Sequence, residues 1–342
     1  MTMYEVSIEQ EIATVTIKRP HVVLVGAGAS KAALPSGDKN GVVVPLLRDV
    51  AVALNLETLF PSDLQALAAT DFEAAYSRLV ARDARLTKQV EQEVHAYFER
   101  LQLPQEPNLY DTLNLSLRSK DAIFTFNWDP FLLQSRARLA RLGIGPSLPQ
   151  LYFLHGNVLV GFCKKCAISG LIGRRCSGCG ELFEPSKLLF PVEEKNYQDG
   201  GLIEREWEAV RYFLEQSFML TIFGYSAPTT DVEAIEMLKG GWRTPAERRM
   251  EQIEIINRPN ADHDKLHDRW RPFIHTHHYE IHDSFYESWL GMHPRRSGEA
   301  YRNQFLEAKF LSDNPTPQYL LKLRGSQRYA RTCQGRVRRH VR

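Results

Sequence analysis

The chain has 342 residues, 43% of them hydrophobic and 25% charged, with a formal net charge of +2. That is ample for a buried core and ordinary for a globular protein. No run of eighteen apolar residues occurs, so no membrane-spanning helix is expected. The opening Met1-Thr2-Met3-Tyr4-Glu5 lacks a secretory h-region, which points to a cytoplasmic protein. Charge is unevenly placed: Lys322 to Arg342 holds eight Lys/Arg residues and no Asp or Glu, leaving 35 basic and 41 acidic residues elsewhere. A basic tail on an acidic body reads first as a solvated end and second as a contact for nucleic acid or an acidic partner.

Up to Pro20, apolar Ile12, Val15 and Ile17 suit a strand or a short helix. Val22-Val23-Leu24-Val25 is a continuous apolar run, as in a parallel strand buried on both faces. Gly26-Ala27-Gly28 permits a tight turn, and Ala29-Ser30 would open a helix. From Leu46 to Leu117 the apolar spacing is helical, punctuated by Pro61, Pro104 and Pro107; this predicts a helical insertion against a sheet, with a possible place over a ligand. Strands are predicted over Ala122–Phe126, Leu151–Leu154, Phe218–Phe223 and Gln252–Ile256, with helices over Glu204–Gln216 and Asp231–Leu238. A last helix is expected around Phe285, Trp289 and Leu290. Strands alternating with helices argue an α/β fold, a Rossmann-like doubly wound parallel sheet. The expected organisation is a Rossmann-like domain over 1–160 and 185–295 (with the insertion at 46–117), a cysteine module over 161–184 and a C-terminal extension over 296–342.

Four of the five cysteines, Cys163, Cys166, Cys176 and Cys179, fall within seventeen residues as C-x2-C-x9-C-x2-C. Four thiolates satisfy a tetrahedral zinc ion and leave no position for water, which predicts a structural zinc ribbon. Cys333 stands alone in the tail. The glycine turn after a buried strand fits a phosphate-binding turn of a dinucleotide site. Lys31 occupies the place of a third glycine, and the Lys-Ser/Thr ending of a Walker loop is missing. Asn127 and Asp129 follow a strand, at the edge where open α/β sheets bind ligands. Asn127 can hold a ribose hydroxyl or a water. Asp129 before Pro130 reads foremost as a helix N-cap. His155 also ends a strand, and an imidazole there can take a proton from a ribose hydroxyl or water. His263 and His267 have i,i+4 spacing, but with His275, His277, His278 and His282 they are expected at a surface or interface rather than on a catalytic metal.

In their order along the chain, these motifs resemble the sirtuin family of NAD-consuming enzymes: Gly26-Ala27-Gly28-Ala29-Ser30, Thr125-Phe126-Asn127-Trp128-Asp129, His155-Gly156, the four cysteines, Gly224-Tyr225-Ser226 and Ile256-Asn257. The resemblance implies NAD between a Rossmann-like domain and a zinc module, with His155 as catalytic base and Asn127 orienting the nicotinamide ribose or a water. By the same resemblance Gly26, Ala27, Gly28, Ser30, Asp129, Gly224, Ser226 and Asn257 are cofactor-binding candidates. Two departures bear on activity. Leu34-Pro35-Ser36-Gly37-Asp38-Lys39 replaces the Gly-Ile-Pro-x-Phe-Arg stretch of protein deacylases. Leu188-Leu189-Phe190-Pro191-Val192-Glu193-Glu194 replaces their Val-x-Phe-Gly-Glu segment, which lines the acyl-lysine channel. The chain therefore looks more like bacterial sirtuin-like NAD hydrolases of phage defence, often oligomers with a partner protein. An NAD-dependent deacylase and a non-catalytic NAD or ADP-ribose sensor are the alternatives.

Overall fold

A computed structural model describes residues 7, 10, 13, 17–192, 197, 201–227, 231–244, 247–248, 252–274 and 278–314. Ile12, Val15, Glu193, Glu194, His275, His277, Cys333 and the basic tail lie outside the described residues.

Nine strands are described: β1 (His21–Val25), β2 (Ala122–Thr125), β3 (Gln150–Phe153), β4 (Val160–Cys163), β5 (Ile168–Leu171), β6 (Glu184–Pro185), β7 (Met219–Phe223), β8 (Gln252–Ile256) and β9 (Tyr279–His282). Six of them form one sheet in the order β3-β2-β1-β7-β8-β9, every neighbouring pair parallel. Counted within that sheet the order is 3-2-1-4-5-6, the doubly wound arrangement, with its switch point between β1 and β7. The expected fold class is therefore found. β9 was not foreseen. Tyr279 and Ile281 pack on one core while Glu280 and His282 turn to the other face, so this edge strand carries an alternating rather than a continuous apolar pattern.

Twelve helices are described: α1 (Ala27–Ala33), α2 (Val50–Ala53), α3 (Ser62–Thr70), α4 (Phe72–Val80), α5 (Ala84–Glu99), α6 (Leu109–Ser116), α7 (Phe131–Arg141), α8 (Leu202–Gln216), α9 (Val232–Trp242), α10 (His263–Trp270), α11 (Trp289–Met292) and α12 (Ser297–Glu307). Side-chain alternation along the strands separates two apolar layers. Val23, Val25 and Ile123 face α1 and the insertion, whereas Val22, Leu24, Phe124, Ile222 and Ile255 face α8, α9 and α10. The insertion is helical in pieces. Pro61 precedes α3, and residues 100–108, with Pro104 and Pro107, run as an irregular link to α6. The expected last helix is a short 3-10 turn, Phe285–Glu287, followed by α11; the longer α12 comes after it.

Candidate active site

β1 and β7 end side by side, and the two turns that leave them are packed backbone to backbone. Gly26 N donates to Phe223 O (3.0 Å), and Gly28 N donates to Gly224 O (2.9 Å). Gly224 has φ +65°, and a Cβ there would sit 2.1 Å from Ala29 N. A Cβ on Gly26 would meet Gly224 O at 2.7 Å. The glycines that read as a phosphate turn are thus already demanded by the close approach of two chains at the switch point. α1 opens at Ala27, two residues earlier than expected.

Beside this turn lies a buried polar network. Asn127 Nδ2 reaches Gly26 O (3.0 Å), Ser30 Oγ (3.0 Å) and, more distantly, Tyr110 OH (3.5 Å). Ser30 Oγ donates to Asp129 Oδ2 at 2.6 Å and lies 2.7 Å from Tyr110 OH. A serine hydroxyl carries one hydrogen, which is committed to Asp129, so the Tyr110 hydroxyl is the donor of that pair. Three acceptors on one side of the Asn127 amide place its nitrogen there and turn Oδ1 the other way. Asp129 is not the simple N-cap expected from sequence. α7 begins at Phe131, one residue later; Oδ1 accepts from Phe131 N (3.2 Å), while Oδ2 is held by Ser30. Burial pushes the Asp129 carboxyl up to about 6, against the Ser30 and Phe131 hydrogen bonds that favour its charge. Ser30 is fully buried, so its place is inside the network, behind Asn127.

His155 is carried by the turn after β3. Gly156 has φ +78°, and a Cβ there would lie 2.2 Å from Lys187 O, so only glycine lets the segment leaving the cysteine module pass this closely. Asn157 Nδ2 donates to Asp129 O (2.8 Å), Ser186 Oγ donates to Asn157 O (2.9 Å), and Leu189 N donates to His155 O (3.0 Å). From the other side, α8 holds the strand end: Glu206 accepts from Phe153 N (2.5 Å), and Trp207 Nε1 donates to Leu154 O (3.0 Å). The His155 ring meets Phe126 edge-on at 5.0 Å, and Phe126 stacks on Tyr225 at 4.0 Å. Asn127 and His155 thus border one sheet edge, Asn127 on the α1 side and His155 on the ring cluster of the α8 side.

Ser226 and Asn257 follow β7 and β8 at the same edge but make other contacts. Ser226 is exposed, and its carbonyl accepts from Arg269 (3.0 Å); Asn257 Oδ1 accepts from Arg258 N (2.8 Å). Tyr110 and Asn157 were not singled out as site residues. A tyrosine in an apolar helix reads as core. Asn157 had one signal, its position two residues after His155.

The four cysteines sit on the hairpin of β4 and β5 and on the turn after Arg175, in a small antiparallel sheet ordered β5-β4-β6. Their ligand atoms lie within 4.8 Å of one another, with Cys163 and Cys179 sulfurs 3.5 Å apart. Backbone amides of Gly178 and Cys179 hold the Cys176 thiol down to about 7, while the neighbouring sulfurs, Cys179 first, push Cys166 up to about 12. Four thiols that cannot all ionise together are what a divalent cation relieves, and an all-sulfur tetrahedral set fits zinc. A second donor group, Glu254, Glu280 and His282, is engaged by protein. Glu254 accepts from Trp289 N and Thr221 Oγ1, and Glu280 accepts from Trp289 Nε1 and pairs with His282 (3.4 Å). His282 is therefore half-buried, not a surface residue. His263 pairs instead with Asp283 (3.2 Å), and His267 rests on Tyr279 (5.3 Å between rings).

No protein-family model matches the chain, and no curated protein matches it in sequence. Solved structures do. A sirtuin structure concerned with substrate affinity is 16% identical, the match covering 78% of this chain and 89% of that one at a TM-score of 0.41. A Sir2 homolog–NAD complex is 16% identical over 97% of both chains at a TM-score of 0.38. Sir2 with an inhibitor, 2′-O-acetyl-ADP-ribose and a deacetylated p53 peptide is 16% identical over 85% and 94% at a TM-score of 0.38. Among the described residues, no helix is long and apolar enough to cross a membrane. The strand order and the cysteine cluster, independently of these likenesses, make the chain an α/β protein with a doubly wound parallel sheet and a separate ribbon able to bind zinc.

Proposed function

We propose that the chain is a sirtuin-like NAD hydrolase that cleaves NAD to nicotinamide and ADP-ribose. The pyrophosphate lies along the turn at the switch point, and the nicotinamide ribose reaches the edge bordered by Asn127 and His155. Cleavage of the N-glycosidic bond passes through an oxocarbenium-like ribose, which water traps. Asn127 Oδ1 accepts a hydrogen from that water or from a ribose hydroxyl, and His155 takes the proton. Gly26, Ala27, Gly28, Gly224, Ser226 and Asn257 border the dinucleotide; Ser30 and Asp129 support it from behind. Zinc on Cys163, Cys166, Cys176 and Cys179 is structural.

The observation that favours hydrolysis over deacylation is the fate of residues 188–190. This segment stands where deacylases line their acyl-lysine channel; here Leu188 and Phe190 are buried with the insertion, and Leu189 in the opposite core. Phe190 stacks on Tyr76 at 5.1 Å and packs on Trp128 at 4.8 Å, and Trp128 meets Phe98 at 5.7 Å. An aromatic stack in place of that lining supports water as the acceptor. A role in bacterial phage defence, as an oligomer with a partner protein, is part of the same reading and is supported by the motif resemblance alone. Incubating the purified protein with NAD, with and without an acetyl-lysine peptide, tests the reading. Nicotinamide and ADP-ribose without peptide are expected; acetyl-ADP-ribose formed only with peptide would establish the deacylase instead.

A further inference from the structure

We infer that Tyr110, contributed by the helical insertion, is a positioning residue for cleavage, locking the Asn127 carboxamide so that its oxygen is turned toward the substrate. The inference rests on the NAD-cleaving reading of this edge. Tyr110 is fully buried in the first turn of α6. That turn is fixed from both ends. Asn108 and Asp111 form a reciprocal capping box, and Asp111 is bound by Ser135 (2.8 Å) and by Arg138 of α7. Asn114 Nδ2, one turn on, donates to Ser135 Oγ (3.1 Å). The phenol therefore arrives at Ser30 on a rigid mount.

Its hydroxyl does two things there. It donates to Ser30 Oγ at 2.7 Å, which leaves the serine hydrogen directed at Asp129. Its oxygen also faces Asn127 Nδ2, adding an acceptor to those of Gly26 O and Ser30 Oγ. With both hydroxyl hydrogens committed, a flipped Asn127 amide would set Oδ1 against three oxygens with no hydrogen to offer. Without the Tyr110 hydroxyl, the Asn127 nitrogen loses one of its three acceptors, a flipped Oδ1 faces one oxygen fewer, and the amide's preference for a single orientation weakens. Tyr110 itself need not touch NAD; it acts through Asn127 and Ser30.

Steady-state nicotinamide release by wild type and Tyr110→Phe, with NAD-binding stoichiometry by calorimetry, tests this. Turnover per NAD-binding site is expected to fall roughly tenfold in the variant, about one hydrogen bond's worth, with KM within about twofold. Unchanged turnover per site, or a raised KM at full turnover, overturns the inference while leaving the hydrolase reading intact. A silent wild-type enzyme defeats the hydrolase reading, and the inference with it. If Tyr110→Phe does not fold, Ser30→Ala takes its place, since it removes the oxygen that joins Tyr110 to Asn127; full turnover there overturns the inference equally.

Discussion

Two polar networks are buried against the same face of the sheet, one at its C-terminal edge and one inside it. The inner network crosses strands. His21 Nδ1 meets Ser297 Oγ (2.8 Å), His21 Nε2 meets Thr221 Oγ1 (2.6 Å), and Thr221 donates to Glu254 (2.7 Å), beyond which lie Trp289, Glu280 and His282. Every step along it ends on another protein group, and α11 and α12 cover it. Burial lowers His21 to about 3 and raises Glu254 to about 7, so near neutral pH His21 is uncharged and Glu254 only partly ionised. The edge network contains the same kinds of groups but differs at one atom. Asn127 Oδ1 is turned away from its partners, at the strand ends where a doubly wound sheet receives its ligand. Buried polarity and shifted acidity occur in both networks. Position at the switch point and an outward-turned acceptor occur in only one, and that pair of features marks the candidate site.

The largest separation between the two is expected in activity. His155→Ala and Asn127→Ala should each reduce nicotinamide release by ~10²–10⁴-fold, with both proteins folded and Asn127→Ala losing about 1–3 kcal/mol of stability from its buried hydrogen bonds. Thr221→Val should cost stability alone. It removes one partner each from His21 and Glu254 in the interior, costing about 1–3 kcal/mol in urea unfolding, and leaves turnover at wild-type level. Equal turnover losses in all three variants would erase the distinction. A further separation is expected in pH dependence. A carboxyl raised from 4.5 to about 7 by folding binds its proton more tightly in the native state, so its contribution is full below 4.5 and is lost as pH rises toward 7. Unfolding free energies of wild type and Glu254→Gln should therefore diverge in the wild type's favour on acidification across that window. A constant difference would mean Glu254 does not titrate there.

What was legible in the sequence was local. A continuous valine-rich run, a glycine turn and two C-x2-C pairs each need only their own neighbours to form, and β1, the turn at Gly26 and the ribbon are found where they were expected. Residues that act across the chain were not legible. Tyr110 is 80 residues from Ser30, and nothing in Leu109-Tyr110-Asp111 distinguishes a hydroxyl donor from a core ring. Thr221 and Glu254 interrupt apolar strands singly, and their pairing needs the β7–β8 register that sets them opposite each other. Asp129 was readable as a cap, but its second oxygen is claimed by a serine brought in by another strand's turn. The same holds for the glycines: their spacing signals a turn, and only the fold reveals that the facing chain requires it.

Hydrogen exchange of the purified protein with and without NAD tests the location most directly. Added protection is expected only at the strand ends, in residues 26–30, 127–129, 155–157 and 224–226, with the β7–β8 interior around Thr221 and Glu254 unaltered. Protection centred on that interior, or none at saturating NAD, would contradict it.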